Sequence, residues 1–115
     1  MLTKHDQGEV LNFDWGQIIW LVSGAQNTSN TMTFGRVTIK AGHANPRHSH
    51  PNCDEILHLL SGQIEHSLGD EKLLMNAGDT ISIPTGIVHN ARTLGDEDAV
   101  MAICFSSPDR QTQPE

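Results

Sequence analysis

Short β-prone runs recur along the whole chain at intervals of roughly 8 to 12 residues, and each one stops at turn chemistry. Residues 17–22 (QIIWLV) end at Ser23-Gly24, residues 31–40 at Ala41-Gly42, and residues 55–60 at Ser61-Gly62. Ile64, His66 and Leu68 alternate with polar neighbours before Gly69-Asp70. Runs at 72–75, 80–83, 88–94 and 99–105 follow, separated by Asn76-Ala77-Gly78-Asp79, Pro84-Thr85-Gly86 and Gly95-Asp96-Glu97-Asp98. No stretch sustains a 3.6-residue apolar period, which excludes helical bundles and strand–helix alternation. The five prolines fall at strand ends, in loops or in the tail. The pattern predicts an all-β, antiparallel sandwich or barrel.

Within 31–40, Met32 and Phe34 lie out of phase with Val37 and Ile39, so a β-bulge is expected at Gly35. Residues 1–30 read as an N-terminal arm and first strand, packing on the barrel or on a partner subunit. Its first twelve residues are expected to hold a helical turn or stay extended. Residues 31–108 form the barrel, and the polar 109–115 is expected to fray.

A chain of 115 residues is sized for one domain with a core of its own. Seven Lys+Arg against 14 Asp+Glu give a net charge of −7, which argues against nucleic acid and anionic membranes as partners. Residues 1–10 hold no apolar run of the signal-peptide kind, so a cytoplasmic protein with Cys53 and Cys104 as free thiols is expected. The seven histidines equal all lysines and arginines together.

Four of them lie between His43 and His58. His48-Ser49-His50 on a strand places two imidazoles on one face. Glu55 lies one turn further on, and His89 follows the later turn Pro84-Thr85-Gly86. Three imidazoles and a carboxylate suit one divalent transition metal (Fe, Mn, Ni, Co, Zn or Cu) and leave coordination positions open.

The spacing runs Gly42, five residues, His48, one, His50, four, Glu55, six, Gly62. Later it runs Gly78, five, Pro84, one, Gly86, two, His89. These segments, 15 residues apart, resemble the two motifs of the cupin superfamily in its small single-domain bacterial form. The resemblance spans about residues 35–108. It implies a double-stranded β-helix, a jelly-roll barrel of six to eight strands, with one metal near a mouth held by His48, His50, Glu55 and His89. One departure is Thr93, where the second motif usually carries Asn; Asn90 instead follows His89 directly.

His66 belongs to the inward-facing set of its strand, at a position where many similar cupins carry an apolar or aromatic residue. It is a candidate acid/base, with a buried structural imidazole as the alternative. Asn45, Arg47, Asn52 and Asn90 flank the ligands and are candidates to orient them or line the pocket. His58 should face outward, and His5 and His43 need no special role. Arg36 and Arg92 are expected to be solvated.

Three functions fit a metal-binding cupin with a small-molecule substrate. One is a non-redox enzyme of isomerase, lyase or cyclase type, with the ion as Lewis acid. Its form resembles cupins that process unsaturated uronates and polyketide-cyclase-like cupins, down to the closing Phe105-Ser106-Ser107-Pro108. The second is a metal-dependent dioxygenase, although no aromatic-lined pocket is evident from the sequence. The third is a non-catalytic metal or ligand sensor. An apolar outer sheet face including Ile56 and Leu60 suggests a homodimer.

Overall fold

The computed structural model describes residues 1–115 and contains strands and turns only. The eleven strands are β1 (Glu9–Phe13), β2 (Gly16–Val22), β3 (Thr33–Ile39), β4 (His48–Ser49), β5 (Glu55–Ser61), β6 (Gln63–Leu68), β7 (Glu71–Asn76), β8 (Thr80–Ile83), β9 (His89–Leu94), β10 (Ala99–Phe105) and β11 (Gln113–Pro114). They form a six-stranded sheet, β1-β2-β3-β10-β5-β8, facing a five-stranded sheet, β11-β4-β9-β6-β7. Every named pairing is antiparallel. This is the antiparallel all-β architecture that the spacing of turns predicts, in the jelly-roll form that the cupin resemblance implies. No helix is long and apolar enough to cross a membrane.

Strict alternation builds the interior. On β10 the inward residues are Ala99, Met101, Ile103 and Phe105, all buried. Leu57 and Leu59 on β5, Ile64 on β6 and Ile83 on β8 meet them from neighbouring strands. Of the 115 residues 24 are buried, and beside this core lies a cavity of about 400 Å³.

Three expectations are corrected. First, β3 has no bulge: Thr33, Gly35, Val37 and Ile39 face inward in unbroken phase, and Phe34 faces out. The irregularity lies on the partner strand β2, between Trp20 and Val22. Gly35 is there because a Cβ would sit 2.7 Å from the Trp20 indole, which packs across the strand at that point. Second, the helical turn offered for residues 1–12 does not form, and the extended alternative holds from Glu9 onward. Residues 9–13 pair along β2, extending the sheet as an antiparallel hairpin closed by Asp14-Trp15. Third, residues 109–115 do not fray. Asn52 clamps them, donating from Nδ2 to the Asp109 carbonyl (2.7 Å) and accepting at Oδ1 from the Gln111 amide (2.9 Å). The tail then pairs as β11 with β4. A polar segment held by side-chain-to-backbone bonds shows no apolar period, so periodicity could not reveal it.

Candidate metal centre

The register of two short strands brings the first ligands together. His48 on β4 lies directly opposite His89 on β9. Opposed antiparallel residues project to one face with Cβ atoms about 5 Å apart, and here the rings lie 4.4 Å apart centroid to centroid. His50, two residues along, joins them at 4.9 Å from His48 and 5.1 Å from His89. Glu55 opens β5 in the opposite sheet and reaches across, with Oε1 3.0 Å from His89 Nε2 and 3.3 Å from His50 Nε2. The turn before β9 is tied to this corner. Asp54 Oδ1 accepts from the Thr85 amide and hydroxyl, and the Gly86 amide donates to the His50 carbonyl. Gly86 itself has φ +82°, a conformation that favours glycine.

The hydrogen bonds behind the rings decide what the rings can do in front. His48 Nδ1 faces the Pro46 carbonyl at 2.7 Å, His50 Nδ1 the Gln111 carbonyl at 2.9 Å, and His89 Nδ1 the Ile87 carbonyl at 2.8 Å. A carbonyl oxygen only accepts, so each Nδ1 carries the proton. In the neutral ring, each Nε2 then presents a bare lone pair. One potential ligand atom from each of the three histidines lies within 4.8 Å of the others. His50 Nε2 is buried and has no hydrogen-bond partner. Two lone-pair acceptors, a neutral imidazole Nε2 and a carboxylate oxygen, repel at 3.0 Å unless a proton or cation lies between them. The donor set therefore fits a divalent transition ion: three borderline nitrogen donors and one carboxylate, all buried except the half-buried His48.

The electrostatics agree. Burial is the main cause that holds the His48 imidazole down at about 4, helped by its His89 and His50 neighbours and opposed by the bond to Pro46. Burial alone would push the Glu55 carboxyl up; hydrogen bonding and positive charge from His50 and His89 in their protonated form, where a proton stands in the place a cation would take, more than offset it, to about 2. Glu55 is thus an anion and His48 a neutral base at physiological pH.

His66 reaches the same cavity from β6. Leu68 on that strand lies opposite His89, and His66 is two residues away on the same face. Its ring runs parallel to His89, with centroids 5.9 Å apart and planes 10° apart. It is 1% exposed, and its Nδ1 has no hydrogen-bond partner. Burial is the leading cause that lowers it to about 4, so it rests neutral.

Asn45, Arg47 and Asn90 form one network behind the ligands. Arg47 Nη1 donates to Ser67 Oγ at 2.8 Å, Ser67 Oγ donates to Asn90 Oδ1 at 2.5 Å, and Asn90 Nδ2 donates to the Asn45 carbonyl at 2.9 Å. Asn52 acts differently: through its clamp on the tail it positions the Gln111 carbonyl that orients His50. Thr93 donates to the Ile39 carbonyl at 3.0 Å and joins β9 to β3 without entering the site. His58 faces outward to Thr80 Oγ1, and His43 folds back on the Ala41 carbonyl. Cys53 and Cys104 are free thiols, Cys53 in the core.

The sequence concealed the rest of the cavity. Four of the five aromatic residues line it: Phe13, Trp15, Trp20 and Phe105. The expectation of no aromatic-lined pocket is therefore wrong. Phe13 and Trp15 stack with centroids 4.8 Å apart, and Trp20 meets Phe105 edge-on at 6.0 Å. Arg110, from the tail, also lines the cavity. The alternation Phe13-x-Trp15 was the one available signal, since residues i and i+2 can share a face.

A family model described as Cupin domain matches residues 35–106. The chain belongs to the cupin family. Among curated proteins, this cupin is similar to a germin-like protein 3-8 of Oryza sativa subsp. japonica, 28% identical over 81 residues, covering 66% of this chain and 36% of the relative. Among solved structures, it matches the Lactobacillus farciminis oxalate decarboxylase–formate complex with TM-score 0.87 at 20% identity, covering 95% of this chain and 34% of that one. A Bacillus subtilis oxalate decarboxylase structure concerned with that enzyme's Mn(II) centres matches with TM-score 0.85 at 22% identity, covering 92% and 29%. The chain spans about a third of the length of these proteins. At such identities the structural matches show the shared fold.

Proposed function

We propose that this cupin binds one divalent transition ion through His48, His50, Glu55 and His89 and is an enzyme of isomerase, lyase or cyclase type acting on a small oxygenated molecule. The observation that carries the reading is the convergence of three bare Nε2 atoms and an ionised carboxylate on one cavity. An ion held there supplies Lewis acidity to a carbonyl or hydroxyl oxygen. The chain supplies the remainder. The aromatic wall excludes water and holds an apolar body. His66, neutral and beside the ligands, can accept a proton from a carbon or hydroxyl next to the polarised oxygen and return it. Support for Mn(II) as one candidate comes from the Bacillus subtilis decarboxylase, whose Mn(II) centres are the subject of that structure.

The mostly apolar lining opposes a uronate or other sugar-like substrate, whose hydroxyls would lose water without gaining partners. It favours the dioxygenase reading more than the sequence did, because an aromatic-lined cavity now adjoins the ligand set. The experiment that separates the two is turnover by Mn(II)-, Fe(II)- or Ni(II)-loaded protein in the presence and absence of oxygen. Anaerobic turnover, lost in His66→Gln with metal retained, is expected. Oxygen consumption that requires the bound metal would overturn the non-redox assignment.

The expected homodimer has support of its own. Phe34 and Ile56 flank Cys104 across β3, β10 and β5 on the outer face, and the two apolar side chains are 38% and 52% exposed. Phe34→Asp is expected to give a monomer by light scattering.

A further inference from the structure

Arg110 has no carboxylate within ion-pairing distance, although the Glu55 charge in the same cavity reaches it. Its guanidinium carbon lies 4.4 Å from the Trp20 ring centre and 5.3 Å from that of Phe105, within a mostly apolar cavity. None of the chain's ion pairs includes it. Its one side-chain hydrogen bond is donated from Nη1 to Thr112 Oγ1. Arg47, which also lines the cavity, is fully engaged by Glu115, Ser67 and the Gly69 carbonyl. Stacking on aromatic faces compensates part of the cost of withdrawing a guanidinium from water, and half-buried Arg110 keeps an N–H edge with no protein partner beyond its bond to Thr112. An edge of this kind matches a carboxylate, and the low polarity around it strengthens the pairing.

The neighbourhood narrows the choice of anion. The chain carries −7 overall, so its long-range field repels anions and recognition must be local. A guanidinium stacked on two of the four aromatic rings that line a cavity of about 400 Å³ matches one carboxylate on an apolar body. Oxalate, with no carbon beyond its carboxylates, offers those rings nothing to cover.

We infer that Arg110 is the substrate-recognition residue of this cupin, and that the cavity takes a monocarboxylate with an aromatic or branched apolar body. The inference deepens the proposed function and rests on its reading of the cavity as the substrate site. On this view the tail has two tasks, since Gln111 orients His50 while Arg110 selects the acid.

The test is calorimetric titration of Mn(II)-reconstituted full-length protein with phenylpyruvate, its methyl ester and oxalate, with metal content measured on each sample. Wild type is expected to bind phenylpyruvate about tenfold or more tighter than the ester or oxalate. Arg110→Gln should lose that margin over the ester while retaining wild-type metal content, and Arg110→Lys should restore part of it. Equal binding of acid and ester by wild type, no binding of the acid, or undiminished acid preference in Arg110→Gln would each overturn the inference. The acid–ester comparison needs wild type alone, so it holds even where a variant fails to fold. If wild type retains no metal yet binds the acid through Arg110, the metal-enzyme reading fails and the recognition stands.

Discussion

The two ends of the cavity are built by different means. The histidine end comes from residues 48–89, inside the segment that matches the family, and its parts are fixed by strand register, backbone carbonyls and a glycine turn. The aromatic end comes mostly from outside that segment: Phe13, Trp15 and Trp20 from the N-terminal hairpin and Arg110 from the tail, with Phe105 alone inside it. In the function proposed above, the first end would hold the ion that polarises an oxygen and the second would select the molecule that reaches it. In the proposed reading, a fold shared with oxalate decarboxylases carries its own selectivity here, because the aromatic end lies mostly in segments outside the family match.

If the ends are separable, changes at the histidine end should be the larger in metal binding. His50→Ala or His89→Ala is expected to weaken Mn(II) binding by more than about a hundredfold, each removing a ligand and leaving Glu55 beside a cavity. His58→Ala should leave it unchanged. Equal losses in all three, by calorimetry, would break the assignment.

The tail joins the ends, and cutting it sharpens the comparison. Deleting residues 109–115 removes the Gln111 carbonyl from His50 and Arg110 from the cavity. Metal affinity is expected to fall about 10- to 100-fold, as when an orienting partner is lost. Asn52→Ala should reproduce part of this, with the cavity's Arg110 still present.

Gly35→Ala probes the aromatic end alone. The new Cβ collides with the Trp20 ring, and overpacking of this kind costs about 1–3 kcal/mol. A lower Tm with unchanged metal stoichiometry is expected. Loss of metal would mean that the two ends are mechanically one.

The smallest effect is in pH. In the metal-free protein His48 and His66 sit near 4, against an ordinary value of 6.5. Between those values the unfolded chain binds more protons than the folded one, so stability rises with pH across that window and is lost as pH falls through it. The Glu55 carboxyl, held at about 2 against 4.5, adds a loss in the same direction below about 4.5. Denaturation midpoints measured from pH 7 to 4 should fall. His66→Leu should flatten the curve between 6.5 and 4.

What the sequence could reveal follows the same division. Eight strands were visible because each buries alternate side chains between turns. β4 was read from His48-Ser49-His50 alone, while β1 and β11 were not visible, the first exposed along its whole length and the second two residues long. The bulge was placed on the wrong strand because Met32 and Phe34 are apolar yet face outward, while the inward positions are Thr33 and Gly35. Residues 48, 50, 55 and 89 were legible because imidazole and carboxylate at that spacing have few other uses. Arg110 was not, since its place depends on Asn52 gripping the tail backbone from 57 residues away.

The most direct test of the central claim is anomalous diffraction from crystals of the Mn(II)-reconstituted protein. One peak per chain, bonded to Nε2 of His48, His50 and His89 and to a Glu55 carboxylate oxygen, is the predicted result. No peak, or a peak touching none of these atoms, would contradict it.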